Sequence, residues 1–417
     1  MIVQAKQGLF AVLGAIAIQL TLGIAYIWSV FQTGIAESIF NGDNAAAGLV
    51  FSLLLAFLAI GSLIGGRLVV RYTTRRVIFI GGILLGVGTF AASLVQPQFG
   101  WLLWLSYGVI GGLGMGFCYA TTIACAQKWY PHKRGMITGV IVAALGMGGV
   151  IFTPLIEMMI INFGGFGVGE FNTFRVLSVV FLVVCCTGSI FMHTPPEGYM
   201  ADKVAANSKT AAARNYTSKE MLRTPQCYIL ILAFVLSVVG GLMIIGFARP
   251  IAVAHGMEAT ATIGVLAIAL LNSMGRLFWG AVSDRIGRFA TLTILLIGTA
   301  CLALLLGVVQ GYIIYVVIAL IGFCFGGILS NYGAITSDLF GAKYMAANYG
   351  IVLLGFGGGA IVATQVGGHF ANIADLYGIS AMTPAFIIAA TCAGVGVVLM
   401  FILKGLAKKA AAQVTAE

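Results

Sequence analysis

The sequence predicts an all-α polytopic membrane protein, and three observations predict it. Of 417 residues, 60% are hydrophobic and 8% are charged, against roughly a quarter charged in a soluble domain. Apolar runs of about 20 residues, which at ~1.5 Å per residue span ~30 Å of hydrocarbon, recur along the whole chain. The alternation expected of barrel strands is absent, so each run satisfies its backbone internally as a helix. The 57 glycines show no collagen period and suit close packing of membrane helices. A disordered chain, a secreted disulfide scaffold and a water-soluble enzyme are excluded.

Twelve runs qualify as spans. The first, 8–31, follows Lys6 as a signal peptide would, but it is too long and lacks a small-residue cleavage site, so it reads as a retained span. Runs 46–70 and 77–96 flank an arginine-rich loop, and 101–126 and 136–161 flank Trp129-Tyr130-Pro131-His132-Lys133-Arg134-Gly135. Run 174–193 precedes the longest polar stretch and 227–249 follows it. Runs 260–283, 290–309, 312–336, 347–368 and 384–404 complete the set. The polar stretch divides the chain into residues 1–193, a linker 194–226 and residues 227–417, with six spans on each side. Thr217-Ser218-Lys219-Glu220 has the spacing of a capping box, which predicts a short interfacial helix with Leu222 against the headgroups. The alternative is a linker without structure throughout.

Nineteen of the 22 Lys and Arg fall in loops on one face, Arg175 and Arg249 fall on the other, and Arg276 lies inside a span. By the positive-inside rule both termini are cytoplasmic, as expected of a multi-pass protein of the plasma (cell inner) membrane. The net charge of +10 is then a topology signal and an attraction to anionic lipid headgroups, not a nucleic-acid footprint.

The two halves echo each other. Gly280-Ala281-Val282-Ser283-Asp284-Arg285-Ile286-Gly287-Arg288 follows the eighth span, and a stretch opening with Gly65-Gly66 and closing with Arg75-Arg76 follows the second. In so tight a turn a carboxylate can accept from a neighbouring helix N-terminus and Arg can pair across it. This pattern, with twelve spans and a central loop, resembles the major facilitator superfamily. Trp129 to Gly135, Glu220 to Gln226 and Asn348-Tyr349-Gly350 narrow the resemblance to the monocarboxylate porter and oxalate:formate antiporter branch. The resemblance covers essentially the whole chain. It implies two pseudo-symmetric six-helix bundles, substrate bound near the midplane, and alternating access by rocking. It also implies a cytoplasmic latch of Gly280, Asp284, Arg285, Gly287 and Arg288. Val70 stands where the first half would carry the matching acid, so Asp284 is the principal latch.

Arg276 precedes Asp284 by about 12 Å of helix. A mid-span Arg costs roughly 2.5–3.5 kcal/mol on insertion scales, so it normally faces a cavity or partner. It could instead snorkel to the interface or tie helices through carbonyls. A guanidinium matches a carboxylate bidentately, orienting it as well as attracting it. In the resembled family the Arg at this place anchors the substrate carboxylate. Asn272, one turn earlier on the same face, stands where animal monocarboxylate porters carry an Asp implicated in proton coupling. Being an amide it does not titrate, so the proton carrier would be elsewhere or be the substrate carboxylate itself. At Phe356 the oxalate branch has a second cation. One cation leaves a second carboxylate desolvated and unpaired, which favours monocarboxylates. Tyr119 and Tyr26 match substrate-facing tyrosines of the family, Phe325 occupies the place of a Trp in the oxalate branch, and Asn331 and Tyr332 offer an amide and a phenol. Each tyrosine has the alternative of merely tying helices together. Glu157, near the outer end of the fifth span, is either protonatable or an interfacial partner of Arg175 or Arg249.

Gly-rich stretches in the fourth, fifth and eleventh spans read as packing surfaces, Gly355 to Gly359 as a flexible segment, and Pro154 as a kink. The eight Cys show no CxxC and no zinc or disulfide framework. Catalytic motifs are missing, so no enzyme, cofactor or nucleic-acid partner is expected. The expected protein is a monomeric secondary transporter moving a small monocarboxylate anion such as lactate or pyruvate with a proton. A carboxylate exchanger is the alternative, and a non-transporting sensor or a channel fits less well.

Overall fold

The computed structural model describes residues 2–131, 133–196, 215–245, 251, 261–377 and 382–416. The regular structure of the described residues is helical, with no strand. The first segment is two helices, α1 (Ile2–Leu22) and α2 (Trp28–Ile39), joined by a 3₁₀ turn over Gly23–Ile27. Gly23 allows this break: a Cβ there would lie 2.8 Å from Gly148 Cα, so the chain turns where it closes onto another backbone. Next come α3 (Asn44–Arg71), α4 (Thr74–Ala92), α5 (Trp101–Trp129), α6 (Arg134–Asn162) and α7 (Gly169–Ile190). Thr73 caps α4 by accepting from Arg76 N–H at 3.4 Å. Within α5, Trp104–Gly111 is π-helical. The short α8 (Ser218–Met221) precedes α9 (Pro225–Ile245), α10 (Ala261–Ile286), α11 (Arg288–Leu306), α12 (Ile313–Phe340), α13 (Met345–Tyr377) and α14 (Thr383–Ala416).

Among the described residues eleven helices are long and apolar enough to cross a membrane, and α1 and α2 together make the remaining segment. The first span is therefore longer than its apolar run and broken within it. The last helix carries on through Lys404, Lys408 and Lys409, because those residues favour helix as readily as the run before them. The capping box at α8 forms: Thr217 accepts from Glu220 N–H, and Glu220 Oε2 accepts from Thr217 N–H at 2.8 Å. The residue α8 buries is Met221, while Leu222 ends the helix half-buried. Most of the linker, including Lys203, Lys209 and Arg214, lies outside the described residues, as do His132, Arg249, His255 and the side chain of Tyr26.

The chain forms two compact units. The first comprises Met1–His132, Ala144–Ala206 and Tyr344–Gly357; the second comprises Lys133–Ala143, Asn207–Lys343 and Gly358–Glu417. The start of α6 thus belongs to the second unit and the start of α13 to the first. Inside the first unit α3 packs on α5, and α4 packs on α7 and α5. Inside the second α10 packs on α12, and α11 packs on α14 and α12.

The repeat extends to backbone contacts. A Cβ on Gly116 would lie 2.5 Å from Ser62 N, and one on Gly326 would lie 3.1 Å from Arg276 N. One on Gly112 would lie 2.7 Å from Leu54 O, and one on Gly322 would lie 3.2 Å from Ile268 O. Both pairs of helices meet through small residues that let backbones touch. The correspondence sets Ser62 of the first unit at the place of Arg276 in the second.

Candidate functional site

Arg276 is 2% exposed in the middle of α10. Two neighbouring glycines place it. Gly326 brings the α12 backbone against Asn272 and Arg276, and Gly139 brings the start of α6 so close that a Cβ would lie 2.6 Å from Arg276 O. Any larger residue at either position would push its helix off α10. Arg276 Nε donates to Asn272 Oδ1 at 2.9 Å and Nη1 donates to Val142 O at 2.7 Å. Asn272 in turn donates from Nδ2 to Gly322 O at 3.1 Å. The amide at 272 therefore holds the guanidinium stem, and its own orientation is fixed by α12. The glycine pattern announced the close packing, but nothing in the sequence announced Val142, which contributes only a backbone carbonyl.

The α12 candidates divide between two faces. Gly322 and Gly326 face α10, and Asn331 reaches the same neighbour, donating to Gly327 O at 2.8 Å and to Trp279 O at 3.5 Å. Its Oδ1 is buried without a partner among the described residues. Phe325 and Tyr332, seven residues apart and so on one helix face, turn to α9. The Phe325 ring covers Gly241, Tyr332 stacks on Phe234 at 3.9 Å, and Tyr332 OH lies 3.1 Å from Ser237 Oγ. Since Ser237 Oγ donates to Ala233 O, the Tyr332 hydroxyl is the donor to Ser237. Tyr332 ties α9 to α12 in this structure.

Tyr119 and Phe356 belong to the first unit. Tyr119 is 4% exposed, with its ring 6.4 Å from that of Tyr349. Gln19 of α1 donates to Tyr119 O at 3.1 Å and to Thr122 Oγ1 at 2.8 Å, while its Oε1 is buried without a partner among the described residues. A Gln inside an apolar first span was the signal for this polar patch. Phe356 is 3% exposed on the part of α13 that runs along α3, where Gly357 approaches Ala56 and Ala59. Glu157 is exposed on α6, and Arg175 donates to Asn172 at 3.1 Å.

At the far end of α10, Asp284 accepts from Gly135 N–H at 3.2 Å and Met136 N–H at 2.8 Å. These are first-turn donors of α6 with no partner inside their own helix, and the carboxylate complements the positive helix end. Gly280 permits the approach, since a Cβ there would lie 2.7 Å from Gly135 O, and Gly287 makes the turn with φ of +90°. Arg288 then reaches back to Asp284 and Ser283 and across to Asp338 Oδ2 at 3.0 Å; Arg134 lies 3.6 Å from the same carboxylate. Arg285 is exposed outside this cluster. Asp338 and Ser283 were not anticipated. An acid just past the end of the tenth apolar run, 312–336, was the available signal.

The long apolar helices and the repeated glycine contacts are those of a polytopic membrane protein with two matching halves. Residues 12–364 match the pattern of the Major Facilitator Superfamily, and the chain belongs to it. It is similar to the uncharacterized MFS-type transporter YhjX of Escherichia coli (strain K12), 32% identical over 359 residues, covering 84% of this chain and 85% of that protein. It is also similar to the oxalate:formate antiporter of Oxalobacter formigenes, 28% identical over 370 residues, covering 86% and 85%. Monocarboxylate transporter 1 of Bos taurus is 29% identical over 187 residues, covering 44% and 35%. In fold the chain resembles the proton:xylose symporter XylE, with a TM-score of 0.73, 12% identity and coverage of 95% and 96%.

Proposed function

We propose that this transporter carries a small monocarboxylate such as lactate or pyruvate together with a proton, and that Arg276 binds the carboxylate. The observation that supports the reading most is Arg276 itself: a buried guanidinium at mid-span, steadied by Asn272 and the Val142 carbonyl, in a chain related to two carboxylate transporters. A cation so placed attracts an anion out of water and orients it through its planar donors. Ser62 at the corresponding place in the first unit and Phe356 on α13 bring no second cation, which supports one carboxylate per substrate. Carboxylate plus proton adds no net charge to an apolar path, the electrostatic case for symport. Tyr119, Tyr26, Asn331, Tyr332 and Phe325 are proposed as contacts to the remainder of the substrate. The distribution of Lys and Arg supports a cytoplasmic position for both termini.

A second reading is carboxylate exchange, favoured by the longer match to the oxalate:formate antiporter and by the amide at Asn272. One experiment separates them: uptake of radiolabelled L-lactate into proteoliposomes, with and without an inward proton gradient, and with internal formate or lactate. Stimulation by external acid that a protonophore abolishes supports symport. Uptake indifferent to the gradient but dependent on internal carboxylate replaces it with exchange.

A further inference from the structure

Glu170, in the first turn of α7, is 0% exposed, a rare place for an acid in this chain. One carboxyl oxygen, Oε2, accepts from Gly167 N–H at 2.8 Å; the other, Oε1, is buried with no partner among the described residues. Its place is made by Gly34 of α2, where a Cβ would overlap the carboxyl group. Around it Phe174, one turn on, stacks on Phe31 at 4.9 Å and on Tyr107 at 5.4 Å, and Trp28 lies 5.5 Å from Tyr107. Trp28 Nε1 is also buried without a partner among the described residues. Tyr107 comes from the π-helical stretch of α5, an irregularity that recurs at functional sites.

The side chains nearby do not favour an anion, although the positive end of α7 does. Glu37 on α2 has the same sign, and Arg175, the next cation on α7, is exposed and turned to Asn172. On α4 the only charges are Arg75 and Arg76 in its first turn, and on α1 the only charge is Lys6 near its start; both are at the opposite end of the bundle. Glu157 on α6 is exposed. A carboxyl buried among aromatic rings with one oxygen unpartnered among the described residues is a site suited to exchanging a proton. Phe163-Gly164-Gly165-Phe166-Gly167-Val168, with positive φ at Gly164, Gly165 and Gly167, leads from α6 to this carboxyl at the end away from the Lys- and Arg-rich loops.

We propose that Glu170 is the proton-carrying group of the transporter, taking a proton onto its unpartnered carboxyl oxygen and giving it up to the other side as the anion moves. The inference rests on the symport reading above. It puts the proton in the first unit and the anion at Arg276 in the second, which explains why position 272 can be an amide.

The test is Glu170→Gln in proteoliposomes. Gln keeps the acceptor for Gly167 N–H and the size of the side chain, so the fold is preserved. Two fluxes are compared: lactate uptake driven by an acid-outside gradient, and lactate–lactate counterflow without a gradient. The expected result is at least a tenfold loss of acid-driven accumulation with counterflow within about twofold of wild type. Acid-driven accumulation by E170Q equal to wild type overturns the assignment to Glu170 while leaving symport standing. A wild-type protein that ignores the gradient overturns the symport reading and this proposal with it. Loss of both fluxes in E170Q, with a normal thermal unfolding midpoint, overturns the separation of proton and anion sites.

Discussion

The proposed chemistry of this protein rests on one residue, Arg276. Arg276→Ala removes the guanidinium; since truncating one partner of a buried charge pair costs ~2–5 kcal/mol, uptake should fall by at least about 30-fold. Arg276→Lys keeps the charge but not the planar donors that reach Asn272 and Val142, so it should fall short of rescue. Initial rates in proteoliposomes check both; wild-type uptake by R276A removes Arg276 from the site. Phe356→Lys should raise the oxalate-to-lactate ratio by about tenfold, equivalent to ~1.4 kcal/mol, and competition assays measure it. Arg276 was legible in the sequence because a charge in an apolar run is conspicuous. Of what holds it, Asn272 was visible one turn earlier on the same face, and Val142 was not, because a backbone carbonyl has no residue signature. Tyr332 shows the same limit: its phenol was visible, but its turn toward Ser237 follows from which face of α12 meets α9.

At the scale of elements, glycines decide which helices can touch. Gly326→Ala puts a methyl group into the Asn272 carbonyl and should destabilise the second unit by ~1–3 kcal/mol, read as a lower unfolding midpoint in detergent. At the end of α10, Asp284 and Asp338 share Arg288. Asp284→Ala and Asp338→Ala should therefore be non-additive in transport rate, with a coupling above ~0.5 kcal/mol in a double-mutant cycle. Most helices were readable to within about five residues, since length and apolarity dictate them, but α13 runs on to Tyr377 and α14 to Ala416, well past their apolar runs. The break at Gly23–Ile27 was not readable, because Gly23 turns in response to α6, a contact distant in sequence.

For the whole molecule, paired units suit a carrier rather than a channel. With a proton gradient, the protein should accumulate lactate above its equilibrium concentration, which no channel achieves; flux that stops at equilibrium would refute the carrier reading. The linker and the repeated loop predict six spans on each side of residues 194–226. The composition of the two units was not legible, because it crosses that division: each incorporates a helix start encoded in the other half.

That exchange of segments has a consequence for biogenesis. The first unit includes Tyr344–Gly357, yet its preceding segment ends at Ala206. A ribosome adding roughly 5–20 residues per second leaves it unfinished for roughly seven to thirty seconds while the intervening chain is inserted. During that interval the face of α3 that will receive α13, lined by Gly66, Leu63 and Ala59, lies open in the bilayer. A nascent chain stalled in this window is a target for membrane quality control, and a stop codon anywhere before residue 344 should yield no stable half-protein.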